Sequence, residues 1–124
     1  LERLAKQGYD VTVVAPRADG TLDITAMLER VDKNTILVAC MMVNNEIGAV
    51  EPVEEAAKVI KAKNPDTLFH VDAIQAYGKF RICPKKMGID LLSVSGHKIH
   101  APKGIGALYI RSGLKLPPYI SAIR

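Results

Sequence analysis

The amino-acid sequence predicts an α/β protein with a mostly parallel sheet and flanking helices, because short apolar runs alternate with segments of helical spacing. The clearest strand signal is TILVACMMV, residues 35–43, a continuous apolar run that is typical of a strand buried on both faces. The clearest helix signal lies at residues 52–62, where a proline stands in the first turn and apolar residues recur on one face.

Three helices are predicted. The first starts at Leu1, has Leu4 and Ala5 at helical spacing, and stops at Gly8. The second follows Asp23, which can cap it, and its apolar positions share one face: Ile24, Met27, Leu28 and Val31. The third is the segment at 52–62, and its apolar face consists of four residues: Val53, Ala56, Ala57 and Ile60.

Five strands are predicted, near residues 11–15, 36–41, 67–71, 90–94 and 106–110. We expect the first four to be mutually parallel, because helices or long crossovers connect them. The fifth follows Lys98 after a loop that is too short for a crossover helix, so it should run antiparallel to a neighbour.

Composition narrows the possible classes of partner. The 124 residues are 48% hydrophobic and 24% charged, which is ordinary for a single globular domain. No apolar run reaches the roughly 20 residues that a membrane span needs. The 17 basic and 13 acidic residues are spread along the chain, whereas a nucleic-acid site is usually a basic patch or stripe. We therefore expect neither a nucleic acid nor a membrane as partner.

The cysteines and histidines do not predict a metal site. Cys40 and Cys83 cannot build a disulfide framework and lack zinc-finger spacing, and a reducing, cytoplasmic location fits both. A metal remains an alternative for four other side chains, although no HExxH or CxxC pattern supports it: His70, Asp72, His97 and His100.

Polar residues follow three of the predicted parallel strands. Asn44 and Asn45 come after the strand at 36–41, and Asp72 and Gln75 after the strand at 67–71. Ser95, His97 and then Lys98 follow the strand at 90–94. Because ligands bind at the carboxyl ends of parallel strands, the sequence predicts that these groups converge on one edge of the sheet.

Lys98 and Asp72 together indicate carbonyl chemistry. An amine against an apolar wall and near other cations has its charged form disfavoured, so Lys98 can act as a nucleophile. Pyridoxal 5'-phosphate (PLP), an aldehyde with a pyridine ring, would engage Lys98 at one end and Asp72 at the other. Two residues are then candidate phosphate donors: Ser95 and His97. A helix cap is the alternative role for Asp72, and a phosphate loop is an alternative for APKGIG, residues 101–106.

Three motifs carry a family resemblance: VNNEIG (43–48), HVDAIQ (70–75) and SGHKIHAPKGIGALYI (95–110). They resemble the PLP-dependent cysteine desulfurases, which belong to the class V aminotransferase family and have the type I fold. The resemblance covers essentially the whole chain but only the middle of the family's large domain. Residues 1–124 are thus expected to be the central part of the PLP-binding large domain, without the N-terminal segment and the C-terminal small domain.

The resemblance implies a role for each candidate residue. Lys98 matches the lysine that forms the Schiff base, and Asp72 matches the partner of the pyridine nitrogen. Gln75 matches a residue bonded to the phenolic oxygen of PLP, and Asn45 a residue near that oxygen and the substrate carboxylate. The remaining matches are phosphate ligands: Ser95 and His97.

The resemblance also implies an activity and partners. The parent enzyme would convert L-cysteine to L-alanine and pass the sulfur as an enzyme persulfide, for iron–sulfur cluster assembly or other sulfur transfer. A homodimer and a sulfur-acceptor or scaffold protein are expected. The family's phosphate loop, ring-stacking histidine and mobile-loop cysteine are missing here, so this piece alone is expected to be inactive. The alternatives are another class V enzyme, a selenocysteine lyase or aminotransferase, or a non-catalytic α/β fragment.

Overall fold

The computed structural model describes residues 2–117. Helices are α1 (Glu2–Lys6), α2 (Ile24–Arg30) and α3 (Val53–Lys63), with a 3-10 turn at Gly96–Lys98. Strands are β1 (Leu37–Met41), β2 (Leu68–Asp72), β3 (Leu91–Ser95) and β4 (Gly106–Ile110). Leu1, the predicted first residue of the first helix, lies outside the described residues.

The four strands form one sheet in the order β1-β2-β3-β4. The first three are parallel, with Cys40 opposite Val71 and Asp72 opposite Ser93. β4 runs antiparallel to β3, with Leu108 opposite Ser93. These directions confirm the predictions for the strands from 36–41 onward, because each parallel connection is a long one and the loop before β4 is short.

The predicted strand at residues 11–15 is wrong. Val14 packs against the core, but Val13 is 74% exposed, and this segment pairs with no strand among residues 2–117. β-branched residues favour extended backbone, yet a strand also needs a hydrogen-bonded neighbour. The described sheet therefore has four strands rather than five, and β1 is one of its two edge strands.

The prediction that the run at 35–43 is buried on both faces is also wrong. Val38 and Cys40 pack against the core, whereas Leu37 on the opposite face is 49% exposed. The reason is that β1 is an edge strand in the described sheet, and α3 packs on only one face of that sheet.

The core lies between that face and α3. The predicted apolar side of α3 is fully buried, and it packs with Phe69 and Val71 of β2: Val53, Ala56, Ala57 and Ile60. Pro52 is the N-cap residue of α3 rather than part of its first turn. Asp23 caps α2 as predicted, since its Oδ1 accepts a 3.0 Å hydrogen bond from Ala26 N. No helix among residues 2–117 is long and apolar enough to cross a membrane.

Candidate functional site

The carboxyl ends of β1, β2 and β3 lie side by side at one end of the sheet. We call this end the rim. Two backbone hydrogen bonds extend the sheet beyond the strand ends: Met42 N donates to Asp72 O at 2.8 Å, and Ala73 N donates to Ser93 O at 2.9 Å. The three segments therefore leave the sheet side by side, and the predicted convergence of their polar residues is confirmed.

Asp72 is the last residue of β2 and is half-buried. Its Oδ1 accepts a 2.9 Å hydrogen bond from Ile74 N, which fixes the carboxylate in an Asx turn. The chain continues as a turn rather than a helix, so the alternative role as a helix cap is only partly realised. Its other oxygen has no hydrogen-bond partner among residues 2–117, which leaves it available to a cation.

Lys98 ends the 3-10 turn that follows β3, and its side chain is exposed. The sequence predicted an apolar wall around this amine, but residues 2–117 do not form one. Next to it, Ser95 Oγ and His97 Nδ1 lie 2.7 Å apart, within hydrogen-bond distance. An amine, a hydroxyl and an imidazole therefore occupy four consecutive positions at the end of β3.

Gly96 holds the lysine segment close to the sheet. Its N–H donates to Ile105 O at 2.8 Å, and its carbonyl accepts from Ala101 N at 3.0 Å. A Cβ at this position would lie 3.0 Å from Ala101 Cβ and 3.2 Å from Ile105 O, so only glycine fits without displacement. Gly104, with φ +83°, supplies the turn into β4.

The other predicted rim residues have different surroundings. Asn44 Oδ1 accepts hydrogen bonds from Glu46 N at 2.9 Å and Ile47 N at 3.1 Å, so its side chain shapes the loop. Asn45 is exposed, and Gln75 is half-buried in the turn after Asp72. Of the two asparagines, Asn45 is thus the one left to face a ligand.

One hydrogen-bonded pair, which joins β2 to β3, was not predicted from the sequence. His70 Nε2 lies 3.2 Å from Ser93 Oγ, on the sheet face that also carries Asp72. The sequence drew attention to His70 only as a possible metal ligand, and no three His, Cys, Asp or Glu side chains cluster for a metal within residues 2–117. The signal that could have found the pair is strand alternation, which puts residues 70, 72, 93 and 95 on one face.

Two titratable side chains near the sheet are shifted by burial. Burial lowers the pKa of His70, and the neighbouring Asp72 carboxylate opposes that effect. Burial, reinforced by the charge of Glu51, raises the pKa of the Cys40 thiol to about 12. Cys40 is therefore a half-buried, unreactive thiol that packs against the core.

The rim residues fit what PLP requires of a protein. A pyridine nitrogen needs an anionic partner, the aldehyde an amine, and the phosphate several donors. Asp72 offers an unshared carboxylate oxygen at the end of β2, and Lys98 an exposed amine after β3. Ser95 and His97 supply donors beside it. By contrast, two clefts of about 200 and 250 Å³, both lined by Lys61 and Gly88, contain no rim residue.

Comparison with known proteins agrees with this chemistry. Residues 1–120 match the family described as Aminotransferase class-V. A cysteine desulfurase of Nostoc sp. (strain PCC 7120) is 46% identical over 119 residues, which cover 96% of this chain and 29% of that protein.

Two solved structures have the same fold. A NifS-like protein superposes with a TM-score of 0.94 at 39% identity, over 98% of this chain and 33% of its own. The structure named SspA in complex with cysteine superposes with a TM-score of 0.90 at 41% identity, over 96% and 34% of the two chains. The chain thus spans about a third of the length of these relatives.

Proposed function

Because the chain belongs to the class V aminotransferase family, we propose that it is the cofactor-binding centre of a PLP-dependent cysteine desulfurase. The intact protein converts L-cysteine to L-alanine and carries the sulfur as a persulfide. The observation that carries the proposal is the rim itself, where Asp72 keeps an unshared carboxylate oxygen and Lys98 follows the adjacent parallel strand.

Each residue of the rim has a separate role in binding PLP. When bound, PLP supplies a ring that accepts electrons from the substrate's Cα. Asp72, oriented by Ile74 N, holds a proton on the pyridine nitrogen through its negative charge. Lys98 would hold PLP at its aldehyde carbon through the amine, and the same amine, when free, would move protons.

The remaining candidates orient the cofactor and the substrate. Ser95 and His97 are within hydrogen-bond distance of each other, so both would reach one phosphate without a large rearrangement. Asn45 and Gln75 are proposed to bond the phenolic oxygen, with Asn45 also near the substrate carboxylate. Support for these roles comes from their positions after β1 and β2.

The proposal extends to partners and location. L-Cysteine as substrate is supported by the names of the relatives, one of which was solved in complex with cysteine. A homodimer, a sulfur-acceptor or scaffold protein, iron–sulfur cluster assembly as the destination of the sulfur, and a cytoplasmic location complete the proposal. The segments that complete the large domain and the small domain are proposed to lie outside residues 1–124.

Cofactor attachment tests the proposal directly. We expect the intact protein to bind PLP with a visible absorption band, and borohydride reduction followed by peptide mapping to find the cofactor on Lys98. Lys103 lies in the same loop and provides a matched control, so Lys103→Ala should retain the band while Lys98→Ala loses it. Mapping of the reduced cofactor to Lys103 would refute the assignment, and the absence of any PLP band would refute the function.

A further inference from the structure

His70 and Asp72 project from the same face of β2, because residues two apart in a strand share a face. Ser93 stands directly beside Asp72 in the neighbouring strand β3. The 3.2 Å contact between His70 Nε2 and Ser93 Oγ therefore joins the two strands next to the carboxylate that ends β2. Asp72, His70 and Ser93 form one group on this face, which we call the Asp72 triad.

Asp72 is the single charged residue that the four strands place on this face. On the same face β1 carries Ala39 and Met41, with Met41 beside Asp72, and β4, which lies beyond β3, carries Leu108 and Ile110. Lys61 and Arg111, two other basic side chains near the sheet, bind Asp90 on the α3 side instead. His70 is thus the one group within the described part of this face that could become a second charge beside Asp72.

The surroundings of His70 favour its neutral form. Burial disfavours the imidazolium and lowers the pKa of His70, although the Asp72 carboxylate opposes this effect. A neutral imidazole is satisfied by the Ser93 hydroxyl, which accepts or donates according to the tautomer. An imidazolium in the same place would pair with Asp72 and repel any second cation at that carboxylate.

We propose that His70 is a positioning residue which, bonded to Ser93, stays uncharged beside Asp72 and so reserves that carboxylate for the pyridine nitrogen of PLP. This inference rests on the proposed function, because it needs Asp72 as the partner of the ring. The physical reason is that one carboxylate shared between two cations binds each of them less strongly. The imidazole is bonded to Ser93 rather than to Asp72, so it leaves the charge of the carboxylate unshared.

The test uses the intact protein loaded with PLP that carries ¹⁵N in the ring, because the ¹⁵N chemical shift reports protonation of the pyridine nitrogen independently of activity. His70→Gln keeps a neutral hydrogen-bonding group near Ser93, whereas His70→Lys places a permanent cation beside Asp72. We expect the Gln variant to keep the protonated ring signal and PLP affinity. We expect the Lys variant to lose part of that signal and to bind PLP roughly tenfold more weakly.

Asp72→Ala separates this inference from the function on which it rests. Loss of the protonated ring signal in Asp72→Ala supports the proposed role of Asp72, and the His70 variants then test the triad. An unchanged signal in Asp72→Ala would refute the role of Asp72 and the triad with it. A protonated ring in both the His70→Lys and His70→Gln variants, with Asp72→Ala deprotonated, would overturn the triad alone.

A direct measurement covers the case in which His70→Lys fails to fold. Imidazole ¹⁵N shifts of His70 in the wild-type holoprotein should show a neutral ring at pH 7. Ser93→Ala should alter the tautomer balance of that ring without protonating it. An imidazolium at pH 7 in the wild-type protein would contradict the proposal, whatever the variants do.

Discussion

The guanidinium of Arg111 donates a 2.6 Å hydrogen bond from Nε to Oδ1 of Asp90, a carboxylate that is only 2% exposed. Lys61 binds the other oxygen at 2.6 Å, and Phe69 N donates to the same oxygen at 2.8 Å. One buried carboxylate thus connects α3, β2, the start of β3 and the residue after β4. It lies at the edge of the sheet opposite the rim.

Replacing Asp90 should destabilise the protein strongly. Asp90→Ala would leave Lys61 and Arg111 without their partner and Phe69 N without an acceptor, which we expect to cost about 3 kcal/mol of unfolding free energy. Urea unfolding measures the loss. Asp66→Ala, at an exposed aspartate, should change the unfolding free energy by less than about 0.5 kcal/mol. Equal effects of the two variants would contradict this role.

The same carboxylate predicts an acid dependence of stability. Burial would raise the pKa of Asp90, but the hydrogen bonds from Lys61, Phe69 N and Arg111 outweigh burial and hold that pKa below its usual value. A folded pKa below the unfolded one stabilises the protein above the unfolded value of about 4, and this stability is lost as the pH falls through the folded pKa. The stability difference between wild type and Asp90→Asn should therefore shrink below about pH 4. A difference that stays constant down to pH 2 would refute it.

Asp72→Ala should separate cofactor attachment from turnover. The variant keeps Lys98, so borohydride should still fix PLP to the protein. Turnover of L-cysteine should fall on the order of 10²-fold or more, because the charge that stabilises the ring cation is gone. Alanine formation is the assay, and Asp66→Ala is the control. Unchanged turnover in Asp72→Ala would remove Asp72 from the mechanism.

Gly96→Ala should displace Lys98 through steric overlap. The added Cβ would lie 3.0 Å from Ala101 Cβ, so the lysine segment must shift and PLP binding should weaken. Ala101→Gly removes that Cβ, and the double variant should recover part of the affinity, a coupling of about 0.5–2 kcal/mol. Full recovery is not expected, because Ile105 O also lies 3.2 Å from the new Cβ. Additive effects would show that the two residues do not meet.

Cys40 should take no part in sulfur transfer. With a pKa raised to about 12, its thiolate fraction at pH 7 is on the order of 10⁻⁵. Iodoacetamide should therefore modify native protein at Cys40 far more slowly than unfolded protein. Residues 1–124 alone should release no alanine from L-cysteine, since Cys83 precedes a turn that leads to the edge opposite the rim. Alanine release that Cys83→Ser abolishes would contradict this prediction.

Local patterns predicted the elements that are stabilised by nearby residues. The buried side of α3 follows from helical spacing, and the Asp23 cap from its position before α2. The direction of β4 follows from the short loop after Lys98. The location of the rim residues was predictable because each one ends a strand or follows it within a few positions.

Features that depend on partners distant in sequence were not predictable. The segment at 11–15 has strand-like residues, but strand formation requires a paired neighbour that the sequence does not identify. The bond between His70 and Ser93 joins residues 23 positions apart, and it depends on the register of β2 and β3. The Asp90 cluster likewise brings together residues distant in sequence, because Lys61 lies well before Asp90 and Arg111 well after it.

The reversal of direction at β4 determines how later parts of the chain can reach the rim. β4 starts beside Ser95 and, over five residues, carries the chain to the edge where Arg111 binds Asp90. The five residues of β4 span about 17 Å, at 3.4 Å per residue. A reactive group that follows Arg111 must span the sheet again, so it meets Lys98 as a tethered reactant. Its effective concentration at the rim is then governed by the length and stiffness of the tether, and shortening the tether below that span would abolish the encounter.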